Sequence, residues 1–210
     1  MNDLKQYGAS FERKDFEILS RERVFQGYFA IDAYKARYRK FDGTESAVIT
    51  REIFERGDAA AVVPYDPVRD AVVLIEQFRL GAARDSESPW LLELPAGIID
   101  AGETPENTVM REMVEETGIS LEKAVHALDF LTTPGGSTEK IFLYVGLVDS
   151  SRAAGYHGLM SESEDIRVLS VPFEDALALI DTGRIRNSIA IVGLQYLALH
   201  KSSVLKSLKQ

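Results

Sequence analysis

Three glutamates, Glu112, Glu115 and Glu116, are crowded together beside a single base, Arg111. On a helix they share one stripe about 100° wide, since each residue turns the chain by about 100°. Clustered carboxylates on a rigid helix suit a hard divalent cation, because Mg²⁺ takes oxygen ligands near octahedral geometry and keeps some of its waters. A cation there would also offset like-charge repulsion of about 0.2–0.5 kcal/mol per i, i+3 or i, i+4 pair. The plainer alternative is a solvated acidic face, for which Glu is a good helix former. A solvated face normally interleaves Lys or Arg with its acids, whereas Arg111 is the only base between Thr104 and Gly118.

The spacing predicts a helix that could carry these side chains. Thr104 is a good N-cap and Pro105 suits the first helical position. Gly118 fits the left-handed residue that ends a helix. Val109, Met110, Met113 and Thr117 fall on one side, the face expected to be buried. Arg111 is expected to orient a glutamate, and Glu103 to brace the turn into the helix.

The segment GIIDAGETPENTVMREMVEETGI (97–119) resembles the Nudix box, Gly-x5-Glu-x7-Arg-Glu-aliphatic-x-Glu-Glu-x-Gly-aliphatic, at every defined position. Those positions are Gly97, Glu103, Arg111, Glu112, Met113, Glu115, Glu116, Gly118 and Ile119. A chance match in a chain of this length has odds on the order of one in ten million at average residue usage. The resemblance implies the Nudix fold, a mixed sheet sandwiched between helices in the α/β (mixed α+β) class. It implies hydrolysis of a nucleoside diphosphate linked to another moiety, with Mg²⁺ or Mn²⁺ on the box. Glu112 and Glu116 are then the main metal ligands, with Glu115 nearby and the Ala96 carbonyl completing one site.

Outside the box the chain is similar to the ADP-ribose pyrophosphatase branch of that family. The segments that carry the likeness are REIFERGDAAAVVPYDPVRDAVVLIEQFR, PWLLELPAG, TTPGGSTEK and HGLMSESEDIRV, with Pro134 standing 15 residues beyond Ile119. The resemblance implies Glu162 as catalytic base, in a polar loop able to close over substrate, and Glu164 as a further metal contact. It makes Arg51 and Arg79 grips for the nucleotide, and Tyr28 and Phe29 an aromatic site supplied by a partner subunit. Glu52, Arg56, Ile98, Thr133 and Glu139 follow as lesser substrate contacts. It also implies a homodimer that exchanges its N-terminal arm. Mg²⁺-dependent hydrolysis of ADP-ribose to AMP and ribose 5-phosphate is the expected reaction. The alternatives are a pyrophosphatase acting on ADP-glucose or GDP-mannose, or a non-catalytic nucleotide sensor.

The elements around this helix are legible in outline. Residues 1–56 read as a strand-rich arm: Tyr34, Ala36 and Tyr38 alternate with Lys35, Arg37 and Arg39, and Asp42-Gly43 signals a turn before a strand over 47–54. That arm reads as a two-stranded antiparallel ribbon, marginal without a partner surface. Residues 57–210 read as the hydrolase domain. Apolar runs over 59–64 and 71–78 flank a hairpin turn at 66–70. Further strands are expected at 91–94, 125–131, 141–148 and 166–171, then helices at 173–181 and 189–199. Trp90 is expected in the core or at a subunit interface. Gly135-Gly136 could either let backbone amides approach a phosphate or form a plain turn.

Composition narrows the classes. The chain has 210 residues, 24 Lys plus Arg against 33 Asp plus Glu, a net charge of −9 and no cysteine. A disulfide framework, a Cys-based zinc site and a cysteine nucleophile are excluded. Net acidity argues against a nucleic-acid partner, which needs a basic face. No run approaches the ~20 apolar residues of a membrane span and no leader pattern opens the chain, so a cytoplasmic protein is expected. The histidines, His126, His157 and His200, show no metal spacing. Residues 97–119 hold six acids (Asp100, Glu103, Glu106, Glu112, Glu115 and Glu116) against Arg111. A phosphorylated ligand is therefore expected there only together with a divalent cation.

Overall fold

A computed structural model describes residues 7–85 and 87–208. The chain divides into two compact units: residues up to Arg56 together with Thr133–Glu139, and Gly57–Thr132 together with Lys140 onward.

The first unit is built on an antiparallel sheet of β1 (Phe16–Gln26), β2 (Ala30–Tyr38) and β3 (Ile49–Glu55), in that order. The expected two-stranded ribbon is thus three-stranded. β1 escapes a period-two reading because register shifts at Ile18/Ser20 and Arg23/Phe25 break its alternation, and its whole length is exposed;. Buried Asp32 on β2 fastens the two strands, accepting from Arg21 Nε at 2.6 Å and from Arg23. The segment 133–139 docks on β3: the Phe54 amide donates to the Gly136 carbonyl at 2.8 Å, and Thr138 Oγ1 donates to Glu55 at 2.7 Å.

The second unit is a mixed sheet with helices on both faces. Its strands are β4 (Ala59–Asp66), β5 (Ala71–Phe78), β6 (Trp90–Glu93), β7 (Ala96–Ile98), β8 (Lys123–Leu131), β9 (Lys140–Leu147), β10 (Tyr156–His157) and β11 (Ile166–Pro172). The order is β10-β11-β5-β4-β9-β8, with β6 paired to β5 and β7 to β4. The β4–β9 pairing is parallel and the others are antiparallel. Every residue of β4 is buried, and up to Tyr65 the strand reads as a continuous apolar run;. Ala59, Ala61, Val63 and Tyr65 face one core, shared with α3 (Ser188–Leu208) through Ala190, Leu194 and Leu197. Ala60 and Val62 face the other, shared with α1 (Pro105–Thr117) through Val109 and Met113. The third helix, α2, spans Phe173–Asp181.

Helix α3 runs nine residues past the expected end. Val204 and Leu208 continue its buried stripe beyond Leu199, overriding the weak helix propensity of Ser202 and Ser203;. Trp90 lies outside the core: it is half-exposed and packs on Phe78, with ring centroids 5.1 Å apart. Among the described residues no helix is long and apolar enough to cross a membrane.

Candidate active site

Helix α1 starts where Thr104 Oγ1 accepts the Asn107 amide at 3.2 Å, with Pro105 at its first position. It ends at Gly118, whose φ of +68° suits a residue without a Cβ;. One helical face meets the sheet, and that face holds a carboxylate: Glu116 is only 2% exposed, beside Val109 and Met113. Glu116 Oε2 accepts the Ala96 amide from β7 at 3.0 Å. Burial, reinforced by the negative charge of Glu112, holds the Glu116 carboxyl well above the usual carboxylate range;. Burial also raises Glu112, against the opposing pull of Arg111.

Arg111 organises the remaining box acids. It donates to Glu103 through Nε (3.1 Å) and Nη2 (3.0 Å), and through Nη1 to Glu112 (2.8 Å) and Glu115 (2.9 Å). Nη2 also reaches the Ile98 carbonyl at 3.5 Å. Glu103, paired with Arg111 and accepting Thr108 Oγ1 at 2.8 Å, is held down at about 2. Both expectations for this pair are met: Arg111 orients glutamates, and Glu103 ties the entering turn to the helix.

The residues fit a divalent cation. Glu116 is a buried carboxylate whose proton affinity is raised further by partly buried Glu112, and Glu112 in turn is raised by the charges of Glu115 and Glu164; carboxylates crowded in this way are stabilised by a multivalent counter-charge. Gly97 has no side chain where the Glu112 carboxylate lies: a Cβ there would sit 1.7 Å from Glu112 Oε1. Among the described residues no three acidic or histidine side chains converge as a preformed metal cage. Arg111 holds Glu112 and Glu115, and the Ala96 amide holds Glu116, so the carboxylates are spread over these partners. The Ala96 group seen in contact is therefore its N–H, on Glu116.

Arg79 follows β5, and its half-exposed guanidinium pairs with buried Glu93 at 2.8 Å. The negative charges of Glu116 and Glu164 act on the same guanidinium. Glu164 belongs to the loop after β10, where its carboxylate accepts the Leu159 amide at 3.1 Å. The loop is tied to α1 by the Gly158 amide on the Glu115 carbonyl, at 3.2 Å. Glu162 closes a single helical turn (Met160–Glu162) and is exposed, followed by Ser163 in a left-handed conformation at φ 58°.

Within the first unit, Phe29, Arg56 and Glu139 come together. Arg56 Nη1 lies 3.1 Å from Glu139, and its guanidinium stands 5.4 Å from the Phe29 ring centroid. Arg56 Nε is the one buried side-chain polar atom among the described residues with no hydrogen-bond partner. Tyr28, 88% exposed, packs its ring edge on Phe29. Arg51 and Glu52 are exposed neighbours on β3, opposite Tyr34 and Ala33, and Arg51 Nη1 donates to the Thr50 carbonyl. The Thr133 carbonyl accepts the Gly136 and Ser137 amides, so the Gly136 amide is occupied by a turn. The histidines have local partners: His126 bonds Asp129, His157 Nε2 meets the Ala154 carbonyl at 3.1 Å and His200 stacks on Tyr196.

Glu93 was not singled out from the sequence. A carboxylate flanked by Leu91, Leu92 and Leu94 in a short strand was the available sign, because a charge inside an apolar strand needs a partner;.

The chain belongs to the Nudix family: the NUDIX domain matches residues 55–190. Its relatives include the ADP-ribose pyrophosphatase of Escherichia coli (strain K12), 46% identical over 196 residues, covering 93% of this chain and 94% of that protein. The GDP-mannose pyrophosphatase of Yersinia pestis (strain Pestoides F) is 33% identical over 192 residues, covering 88% and 92%. A solved structure described as an ADP compounds hydrolase shares the fold at a TM-score of 0.69 and 20% identity, covering 92% of this chain and 98% of that one.

Proposed function

We propose that this protein is a Mg²⁺-dependent ADP-ribose pyrophosphatase that releases AMP and ribose 5-phosphate. The reaction class rests on one observation, the buried Glu116 carboxylate crowded by partly buried Glu112 and within the electrostatic reach of Arg79. The substrate is read from the nearly full-length likeness to the E. coli enzyme. Glu112, Glu116 and Glu164 would hold the cation, with Glu115 and the Ala96 carbonyl beside them; Mn²⁺ suits the same oxygen donors. A bound divalent cation would offset the diphosphate charge and acidify an attacking water.

The chain's own groups then have distinct tasks. Arg79 grips a phosphate with a fixed planar fork. Glu162 takes a proton from the water that forms the new P–O bond as the bridging P–O bond breaks. Its exposed loop, tethered at Gly158, lets it approach a bound substrate. Arg56 offers an unsatisfied N–H, and Tyr28 and Phe29 offer ring faces for a base;. Arg51, Glu52, Ile98, Thr133 and Glu139 complete the substrate contacts. The exposed apolar side chains of the first sheet, Ile18, Val24, Phe25 and Tyr38 among them, suit an arm exchanged in a homodimer;. A cysteine-free sequence suits the reducing cytoplasm;.

The second reading, a nucleotide-sugar pyrophosphatase, is favoured by the GDP-mannose relative. A hydrolysis panel with Mg²⁺, comparing ADP-ribose, ADP-glucose and GDP-mannose with products identified, decides between them. The highest kcat/KM is expected on ADP-ribose; preference for a guanosine sugar would overturn the assignment.

A further inference from the structure

The best-built polar cluster beyond the box lies behind Arg79. Glu93, 3% exposed on β6, takes Arg79 Nε at 2.9 Å and Nη2 at 2.8 Å on its Oε2. Gln77 Nε2 approaches the same oxygen at 3.4 Å. The other oxygen, Oε1, accepts Asn187 Nδ2 at 2.9 Å. Asn187 in turn accepts the Ala190 amide on its Oδ1 at 3.1 Å, capping α3;. A chain of hydrogen bonds thus runs from the helix cap through a buried carboxylate to the guanidinium. Glu93 occupies the Nε edge and Nη2, leaving Nη1 for a ligand.

We propose that Glu93 and Asn187 are positioning residues that lock Arg79 with its open edge toward a diphosphate, without touching substrate themselves. This rests on the reading of Arg79 as a phosphate grip. Arginine has many rotamers, and fixing them during folding removes that ordering cost from substrate binding. Asn187 matters because it binds the second Glu93 oxygen and so sets the plane of the carboxylate that meets the guanidinium fork. Release of that oxygen frees the carboxylate to turn, and Arg79 with it.

The test is a set of steady-state measurements on ADP-ribose at saturating Mg²⁺. Asn187→Asp keeps an acceptor for the Ala190 amide, and so the helix cap, but opposes Glu93 with an oxygen in place of a donor. It is expected to raise KM about tenfold with kcat within threefold of wild type. Glu93→Gln leaves its amide facing the Asn187 amide and is expected to do the same. Combining Glu93→Gln with Asn187→Asp restores a donor–acceptor chain and should return KM to within threefold of wild type. In an Arg79→Ala background neither substitution should raise KM further. Unchanged KM in Asn187→Asp, or an equal increase with and without Arg79, overturns the positioning role. If Arg79→Ala itself leaves KM unchanged, the phosphate-grip reading fails first and the proposal falls with it.

Discussion

Replacing Gly97 with alanine should disable the proposed metal site while leaving the fold almost intact. The added Cβ would lie 1.7 Å from Glu112 Oε1, 2.1 Å from Cδ and 2.8 Å from Cγ. Ordinary contact begins at 3.4 Å, so the carboxylate oxygen must move by about 1.7 Å. Metal–ligand distances tolerate only about ±0.2 Å, so the proposed ligand Glu112 would be lost. The backbone accepts alanine, because Gly97 is not among the positive-φ residues. The clash falls on the Glu112 side chain and not on backbone, and restricting the unfolded chain returns about 0.4–1 kcal/mol. The melting temperature should therefore change by no more than a few degrees, at about 2–4 °C per kcal/mol for a chain of this size. The Mg²⁺ concentration for half-maximal hydrolysis of ADP-ribose should rise about 100-fold, equivalent to about 2.7 kcal/mol. Pairing Gly97→Ala with Glu112→Gln should add little to either alone, since both remove one ligand. A folded Gly97→Ala variant whose Mg²⁺ titration superimposes on wild type would refute the reasoning.

Three further outcomes are expected. Glu116→Gln removes a buried, unfavourable charge, so the metal-free protein should melt no lower than wild type while Mg²⁺-dependent turnover collapses; a retained Mg²⁺ response would contradict the ligand role;. Glu162→Gln should lower kcat by roughly 10²–10⁴ with little change in melting, because the side chain is exposed;; near wild-type turnover would remove it from the role of base. Asp66 is 1% exposed, and although burial pushes its carboxyl up, hydrogen bonds from Ser150 and Arg69 outweigh this and hold it far below 3.8. Its folded pKa is depressed, so its contribution is complete above the unfolded pKa near 3.8 and fades as pH falls through the folded one;. Asp66→Asn should cost about 2–4 kcal/mol at pH 7, and denaturant melts should show the gap narrowing below pH 4; a gap constant with pH would count against it.

Local chemistry made most of the box helix legible. Thr104, Pro105 and Gly118 act within a few residues of themselves, so cap, first turn and terminus can be read from spacing. The β4–β5 hairpin is equally local, with Tyr65 opposite Val72 and Asp66 opposite Ala71. β1 was hidden because its two bulges break the alternation on which strand reading depends;. Glu116 looked like one more acid beside the apolar stripe, and its burial follows from how closely α1 packs against β4 and β7. Glu93 had no visible role because its partners, Arg79 and Asn187, are remote along the chain and meet it only in the fold.

The sequence by itself determined the family, the crowding of box carboxylates around Arg111 and the ends of the helix that bears them. These depend on residue type and short spacing, which are properties of a linear chain. Tertiary structure alone decided which of the glutamates is desolvated, how Arg111 divides itself among Glu103, Glu112 and Glu115, and what holds Arg79 in place. Burial and long-range ion pairing depend on what the fold brings within a few ångströms, and no periodicity along one strand or helix encodes that distance.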